Sequence, residues 1–173
     1  MGVPASGKTT LAKALLDRFV CVYLDNNFIA DAFFSETRTD PQYIKLRLRL
    51  YDVLYRIAEE NLQVGNTVLL DVPHVTHVRD AQWCSFIQSL ADRSGARLIV
   101  VRCRCSEESL KERLEARGEP RDDWKLSNWR EFMRREPLDV PIPFEHLDVD
   151  TDYAPADAAA LACSYIRTRL GTR

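Results

Sequence analysis

Near the amino terminus, Gly2 to Thr10 read GVPASGKTT. Gly2, Gly7, Lys8 and Thr9 satisfy the spacing G-x-x-x-x-G-K-[ST]. In that pattern glycines let the chain curl until consecutive backbone N–H groups face one concavity, which holds an anionic phosphate. Pro4, Ala5 and Ser6 complete the rim. Thr10 and the helix behind it add unpaired first-turn amides and the positive end of a dipole. Lys8 supplies a mobile charge for outer phosphates, and the Thr9 hydroxyl is placed to ligate Mg²⁺. A plain glycine turn before an ordinary helix is the alternative, and four matching positions weigh against it.

Other reactive side chains fall at the ends of apolar runs. Asp25 closes VCVYLD, and in a parallel sheet the strand C-termini face the ligand crevice. A carboxylate there can take the proton of a substrate hydroxyl, or it can cap the helix starting near Asn27. Asp71 closes TVLLDV and is suited to support Mg²⁺ through water or to position an acceptor. His74, Thr76, His77 and Arg79 follow where an acceptor would enter. The histidines there read as surface loop residues and Arg79 as a partner for an anionic group. Arg113, Arg117 and Arg121 repeat at i, i+4 and i+8. The first two lie on one helix face, and Gly118 and Pro120 end that helix, so a lid is expected around residues 113–125. Thr151, in DVDTD, falls near the position of an adenine. Lys45, Arg47, Arg49 and Arg56 form a basic cluster that reads first as a solvated helix face.

These residues need a frame. Strand-like runs occur at Val20–Asp25, Thr67–Val72, Arg97–Cys103 and His146–Asp150. Helical patterns occupy Leu11–Phe19, Ile44–Leu62, Arg79–Arg93, Glu107–Arg117, Leu126–Arg135 and Pro155–Leu170. Alternation of this kind implies parallel strands joined by helical crossovers, an α/β three-layer sandwich. At 173 residues one domain, 1–173, is expected. A net charge of −2 gives no bulk attraction to nucleic acid or membrane, and no apolar run approaches membrane-spanning length, so a cytoplasmic location is expected. Five cysteines without a C-x-x-C read as reduced, mostly buried thiols. The strand that should lead into Gly2 is absent, and an upstream start of the natural protein is the corresponding expectation.

With its loop, Asp25, Asp71 and Arg113-L-E-A-Arg117, the chain resembles the bacterial P-loop kinase-like proteins. That group takes in AAA family ATPases, polynucleotide 5′-hydroxyl kinases, chloramphenicol phosphotransferases and zeta-toxin kinases. The resemblance implies sheet order 2-3-1-4-5, with the first strand largely missing here. It implies Asp25 as acceptor base and Arg113, Arg117 and Arg121 as lid. It further implies an ATP- and Mg²⁺-dependent kinase acting on a hydroxyl of a small molecule or nucleotide. Asp25, Asp71, Thr76 and Arg79 would meet that acceptor. A nucleotide-responsive switch without an acceptor and a polynucleotide-end kinase are the alternatives, the latter hinted at only by the Lys45–Arg56 cluster.

Overall fold

The structure, a computed structural model, describes residues 1–34 and 40–171. The phosphate-loop segment leads into α1 (Lys8–Leu16), then β1 (Val22–Asp25), α2 (Asn26–Phe33), α3 (Pro41–Gln63) and β2 (Val68–Asp71). A single 3₁₀ turn at His77–Arg79 precedes α4 (Ala81–Arg93), which is followed by β3 (Val100–Arg104) and α5 (Glu107–Arg117). Next come a second 3₁₀ turn at Pro120–Asp122, α6 (Asp123–Ser127), α7 (Trp129–Arg135), β4 (His146–Asp150) and α8 (Pro155–Leu170).

Helix starts follow local chemistry. Asp25 accepts a bond from the Asn27 amide at 2.8 Å, Asp40 from Gln42 at 2.7 Å, Asp80 from Gln82 at 2.8 Å, and Ser106 from Ser109 at 3.1 Å. Each cap satisfies a first-turn N–H that the helix itself leaves unpaired. Gly65, Gly95 and Gly118 follow α3, α4 and α5 with φ of 86°, 64° and 60°, a left-handed stop that the sequence also placed at Gly118.

The strands form two parallel pairs. β1 runs beside β2 with Asp25 opposite Asp71, and β3 runs beside β4 with Val100 opposite His146. The expected order 2-3-1-4-5 is thus present as its two halves. Met1 lies beside β3: its N–H₃⁺ donates to Val101 O at 2.6 Å, and its carbonyl accepts from Cys103 N at 2.8 Å.

Helices cover both faces. On one, Leu11 and Leu15 of α1 pack with Ala159, Ala162 and Cys163 of α8 against Val149. On the other, Tyr51, Leu54 and Tyr55 of α3 pack with Ile87 and Leu90 of α4 against Val72. A third cluster joins Val3, Leu110, Leu114 and Phe132. Between the half-sheets runs an apolar cleft of about 290 Å³.

The structure corrects several expected boundaries. The helix expected over Leu126–Arg135 is two, α6 and α7, broken at Asn128, whose ψ of 44° is not helical. The run Leu11–Phe19 starts earlier, at Lys8, because the loop itself supplies the first turn. The eight-residue α2 has no counterpart among the expected helices beyond its start near Asn27. All five cysteines are free thiols. No helix among the described residues is long and apolar enough to cross a membrane.

Candidate functional site

The loop Gly2–Gly7 curls at the N-terminus of α1. Gly2 has φ of 145°, and a Cβ there would lie 2.5 Å from Ser6 Oγ and 2.6 Å from Cys103 O. Gly7 caps α1 with φ of 82°, and its Cβ would press on Thr151 at 3.1 Å. A side chain at Gly2 would run into backbone, and at Gly7 the left-handed φ strains any residue that carries one. Ala5, at φ 63°, carries backbone strain inside the loop; the other non-glycine positive φ among the described residues belongs to His74, just after β2. Strain of this sort gathers where a backbone is held for ligand binding.

Two side chains of the loop turn toward its concavity or interior. Lys8 Nζ donates to Val3 O at 2.7 Å, folded back on the concavity, and burial depresses its pKa. Ser6 Oγ is buried and has no hydrogen-bond partner among the described residues. Thr9 Oγ1 donates to Asp71 Oδ2 at 2.6 Å, so the hydroxyl and the carboxylate already sit together. Oxygen donors paired this way suit a hard divalent cation such as Mg²⁺.

Asp25 and Asp71 are register partners at the ends of adjacent strands, roughly 4.8 Å apart along the sheet. Tyr23 bridges them, its hydroxyl donating to Asp71 Oδ2 at 2.9 Å and lying 3.4 Å from Asp25 Oδ2. Asp25 is only 6% exposed. Burial first, and the Asp71 charge after it, push its carboxyl above the ordinary range, while bonds from Asn27 and Tyr23 pull it partly back. A carboxylate raised in this way is a competent proton acceptor near neutrality. Asp25 is also the α2 cap, so the capping reading and the site reading describe the same oxygen atoms.

The arginines are distributed differently from the expected row. Arg113 donates to Thr151 Oγ1 at 3.0 Å and to Thr151 O at 2.6 Å. Thr151 in turn donates to Ser6 O at 3.1 Å and Arg104 O at 2.9 Å, tying β4's end to the loop. Arg117 pairs with Asp122, which is 1% exposed and also accepts from Lys125. Arg121, expected on a projecting flap, instead donates to Asp31 at 2.6 Å and to Asn27 at 3.3 Å, joining the segment after α5 to α2.

Beyond β2 the histidines depart from the expectation. His74 is buried, not a surface loop residue: its Nε2 lies 2.8 Å from Tyr55 Oη, which also accepts from Trp83 Nε1 at 3.0 Å. His77 meets the Tyr51 ring edge-on at 4.8 Å, and its Nδ1 has no partner among the described residues. Burial lowers the pKa of both imidazoles, that of His74 well below the ordinary value. Thr76 and Arg79 are exposed at the 3₁₀ turn, and neither side chain hydrogen-bonds to Asp25, Asp71 or the loop. Lys45, Arg49 and Arg56 are exposed on α3, and Arg47 lies 5.9 Å from the Tyr51 ring centre.

Tyr23, Asn27, Asp31, Asp122 and Lys125 were not singled out from sequence. Tyr23 was within reach of it: two residues before Asp25 on a strand, it must share that residue's face. Asp122 and Lys125 were not, since only the fold after Gly118 turns them onto Arg117.

A family profile for the AAA domain matches residues 1–138. Among solved structures, a candidate kinase from Chloroflexus aurantiacus is 21% identical at TM-score 0.72, with 95% of each chain covered. A sugar kinase from Janibacter sp. is 17% identical at TM-score 0.69, covering 96% of this chain and 91% of that one. An APS kinase of Mycobacterium tuberculosis, in complex with AMPPNP and APS, is 16% identical at TM-score 0.62, covering 96% and 94%. No curated protein matches. These likenesses establish the parallel α/β fold of P-loop kinases for this chain.

Proposed function

This chain belongs to the AAA domain family, and from that premise we propose that it is an ATP- and Mg²⁺-dependent phosphotransferase acting on a hydroxyl. The acceptor is a small molecule or nucleotide. The observation that carries the reading is the cluster Lys8, Thr9, Asp71 and Asp25 at one end of the β1–β2 pair. In it the Thr9–Asp71 bond of 2.6 Å lies beside a buried carboxyl of raised pKa.

Each residue has a part. The loop amides and Lys8 hold the triphosphate, with Lys8 exchanging its bond to Val3 O for a phosphate oxygen. Thr9 and Asp71 would hold Mg²⁺, which neutralises charge between the outer phosphates when bound. Asp25 takes the acceptor's proton as its oxygen attacks the γ-phosphorus. The new O–P bond forms as the bond to the β,γ-bridging oxygen breaks, and ADP leaves. Arg113 and Arg117 of α5 would supply the lid that excludes water and stabilises equatorial charge, while Arg121 stays paired with Asp31 on α2. Thr76 and Arg79 flank the acceptor entrance.

Nucleotide binding and transfer can be separated experimentally. Lys8→Ala should weaken ATP binding by about tenfold or more, while Asp25→Asn should bind ATP normally and lose about 10²–10⁴ in transfer rate. ADP release measured with and without a library of hydroxyl compounds decides between kinase and switch. Turnover stimulated by an acceptor supports the kinase, and flat, slow hydrolysis across the library sinks it.

A further inference from the structure

Of the basic residues on α3, Lys45, Arg49 and Arg56 are exposed, whereas Arg47 is half-buried. Helical spacing explains the difference. Tyr43, Arg47, Tyr51 and Tyr55 recur at intervals of four and so run along one side of the helix. The three tyrosines of that stripe are buried, at 8%, 3% and 4% exposure. Arg47 thus interrupts a buried aromatic row with a charge. Its guanidinium lies 5.9 Å from the Tyr51 ring centre, and the same ring meets His77 edge-on at 4.8 Å.

A carboxylate reaches the same place from another element. Glu136 caps the end of α7 and is half-buried. Its charge acts on Arg47 and Tyr51 and also on Lys8, so it stands within electrostatic reach of the phosphate loop. Burial raises its pKa against the opposing pull of Arg47, Lys125 and Lys8. Lys125 is already paired with Asp122 at 2.5 Å. Arg47 and Glu136, by contrast, form no ion pair within 4.0 Å with each other or with any other described residue. A charge taken out of water without a partner costs free energy, and unpaired charges of this kind mark places that a ligand completes.

The two groups also restrict that ligand. A guanidinium only donates and a carboxylate only accepts, and their charges sum to zero. A hydroxyl donates and accepts at once, so neighbouring hydroxyls of one molecule satisfy both groups without adding charge. An anionic acceptor meets the repulsion of Glu136, Asp25 and Asp71 together. An apolar alcohol leaves both charges unpaired. A zwitterion pairs each charge but gives up the hydration of two more to do so.

We propose that Arg47 and Glu136, walled by Tyr51 and His77, determine the specificity of the acceptor subsite, and that the acceptor is an uncharged polyol. One hydroxyl meets Asp25 and the γ-phosphate, and two neighbouring hydroxyls bridge Arg47 and Glu136. This narrows the acceptor of the kinase reading above and rests on it.

The experiment uses the full chain and two readouts. Binding is read as the thermal midpoint with AMPPNP and Mg²⁺ present, which needs no turnover, and transfer is read as ADP release from ATP. The panel holds neutral hexoses, pentoses and cyclitols, serine as zwitterion, glucose 6-phosphate and a short 5′-hydroxyl oligonucleotide as anions, and benzyl alcohol as apolar hydroxyl. At least one neutral polyol, at about ten times its dissociation constant, should raise the midpoint by about 2–4 °C and stimulate ADP release. The other classes should do neither. Glu136→Gln and Arg47→Gln should each raise KM for that polyol about tenfold or more with little change in kcat. Glu136→Gln should not lower the ligand-free midpoint, because burial already outweighs the attraction on its charge. If a variant does not fold, the panel on the unaltered chain still decides. A polyol that shifts the midpoint without ADP release keeps the subsite and removes the kinase reading. ADP release stimulated by an anionic, zwitterionic or apolar compound in place of polyols keeps the kinase and overturns the subsite. So does a polyol whose KM neither variant changes, and so does a panel in which no polyol moves the midpoint.

Discussion

Tyr23 decides how the two carboxylates share their corner of the molecule. Its hydroxyl donates to Asp71 and lies near Asp25. Asp25 must be ionised to take a proton, so the rate should fall as pH falls through its pKa, which burial and Asp71 hold above the ordinary value of about 3.9. The hydroxyl bond favours the ionised form. Tyr23→Phe removes it, so Asp25 should hold its proton to still higher pH. The acid limb of kcat/KM should then move up, while the affinity for ATP changes little. An unmoved limb, or one shifted downward, refutes Asp25 as the group that titrates. Asn27 makes the complementary point. Its backbone bond to Asp25 survives any side-chain substitution, but its side-chain amide also donates to Asp25, at 3.0 Å and closer than Tyr23, so Asn27→Ala should move the same limb up at least as far as Tyr23→Phe does.

At the scale of elements, α3, α4 and the turn after β2 are held together by one buried polar chain. Trp83 donates to Tyr55, and Tyr55 meets His74, whose backbone stands at φ 54°. His74 stays neutral because burial lowers its pKa, with His77 and Lys8 adding smaller repulsions. The unfolded chain takes up that proton near pH 6.5, so it binds more protons than the folded one below that pH. Stability should therefore drop as pH falls from 6.5, by up to about 1.4 kcal/mol per unit. Denaturant midpoints at pH 7.5 and 5.5 measure the loss. His74→Asn, which tolerates the same φ, should lower the midpoint at pH 7.5 and flatten the difference between the two pH values. An undiminished pH dependence in that variant means the proton goes elsewhere.

His74 also shows why part of this site was hidden in sequence. The strand ends at Asp25 and Asp71 were legible because apolar runs closing in an acid carry their own signal, and the loop because glycine, lysine and threonine spacing is local. The β1–β2 register that sets Asp25 opposite Asp71 carries no local signal and is seen only in the fold. The surroundings of His74 depend instead on α3 and α4 closing over a turn, contacts separated by 19 residues and more. Arg121 was misplaced for a related reason. Gly118 does stop α5, but the chain then coils into a 3₁₀ turn that sends the guanidinium to Asp31 on α2.

Across the whole molecule the phosphate loop is the clasp between two half-sheets. Gly2 bonds behind β2 and Met1 to β3, Ser6 O accepts from Thr151 at the end of β4, and Thr9 donates to Asp71 at the end of β2. Every strand except β1 is therefore touched by ten consecutive residues, and β1 is reached through the Asp25–Asp71 register. A ligand that orders this loop should stabilise the fold as a whole rather than one lobe. With Mg²⁺–ATP at about a hundred times its dissociation constant, linkage gives about 2.7 kcal/mol, which for a chain of this length is a rise of about 5–10 °C in the thermal midpoint. Melting should remain a single transition with and without nucleotide, because the α1–α8 core takes in Leu69 of β2 together with Cys103 of β3 and Val149 of β4. Lys8→Ala should abolish the nucleotide-dependent rise while leaving the ligand-free midpoint within a few degrees, since among the described residues the hydrogen bond of Lys8 goes to Val3 O. Calorimetry that resolves two transitions, with only one moved by nucleotide, shows the half-sheets to be independent and removes the clasp.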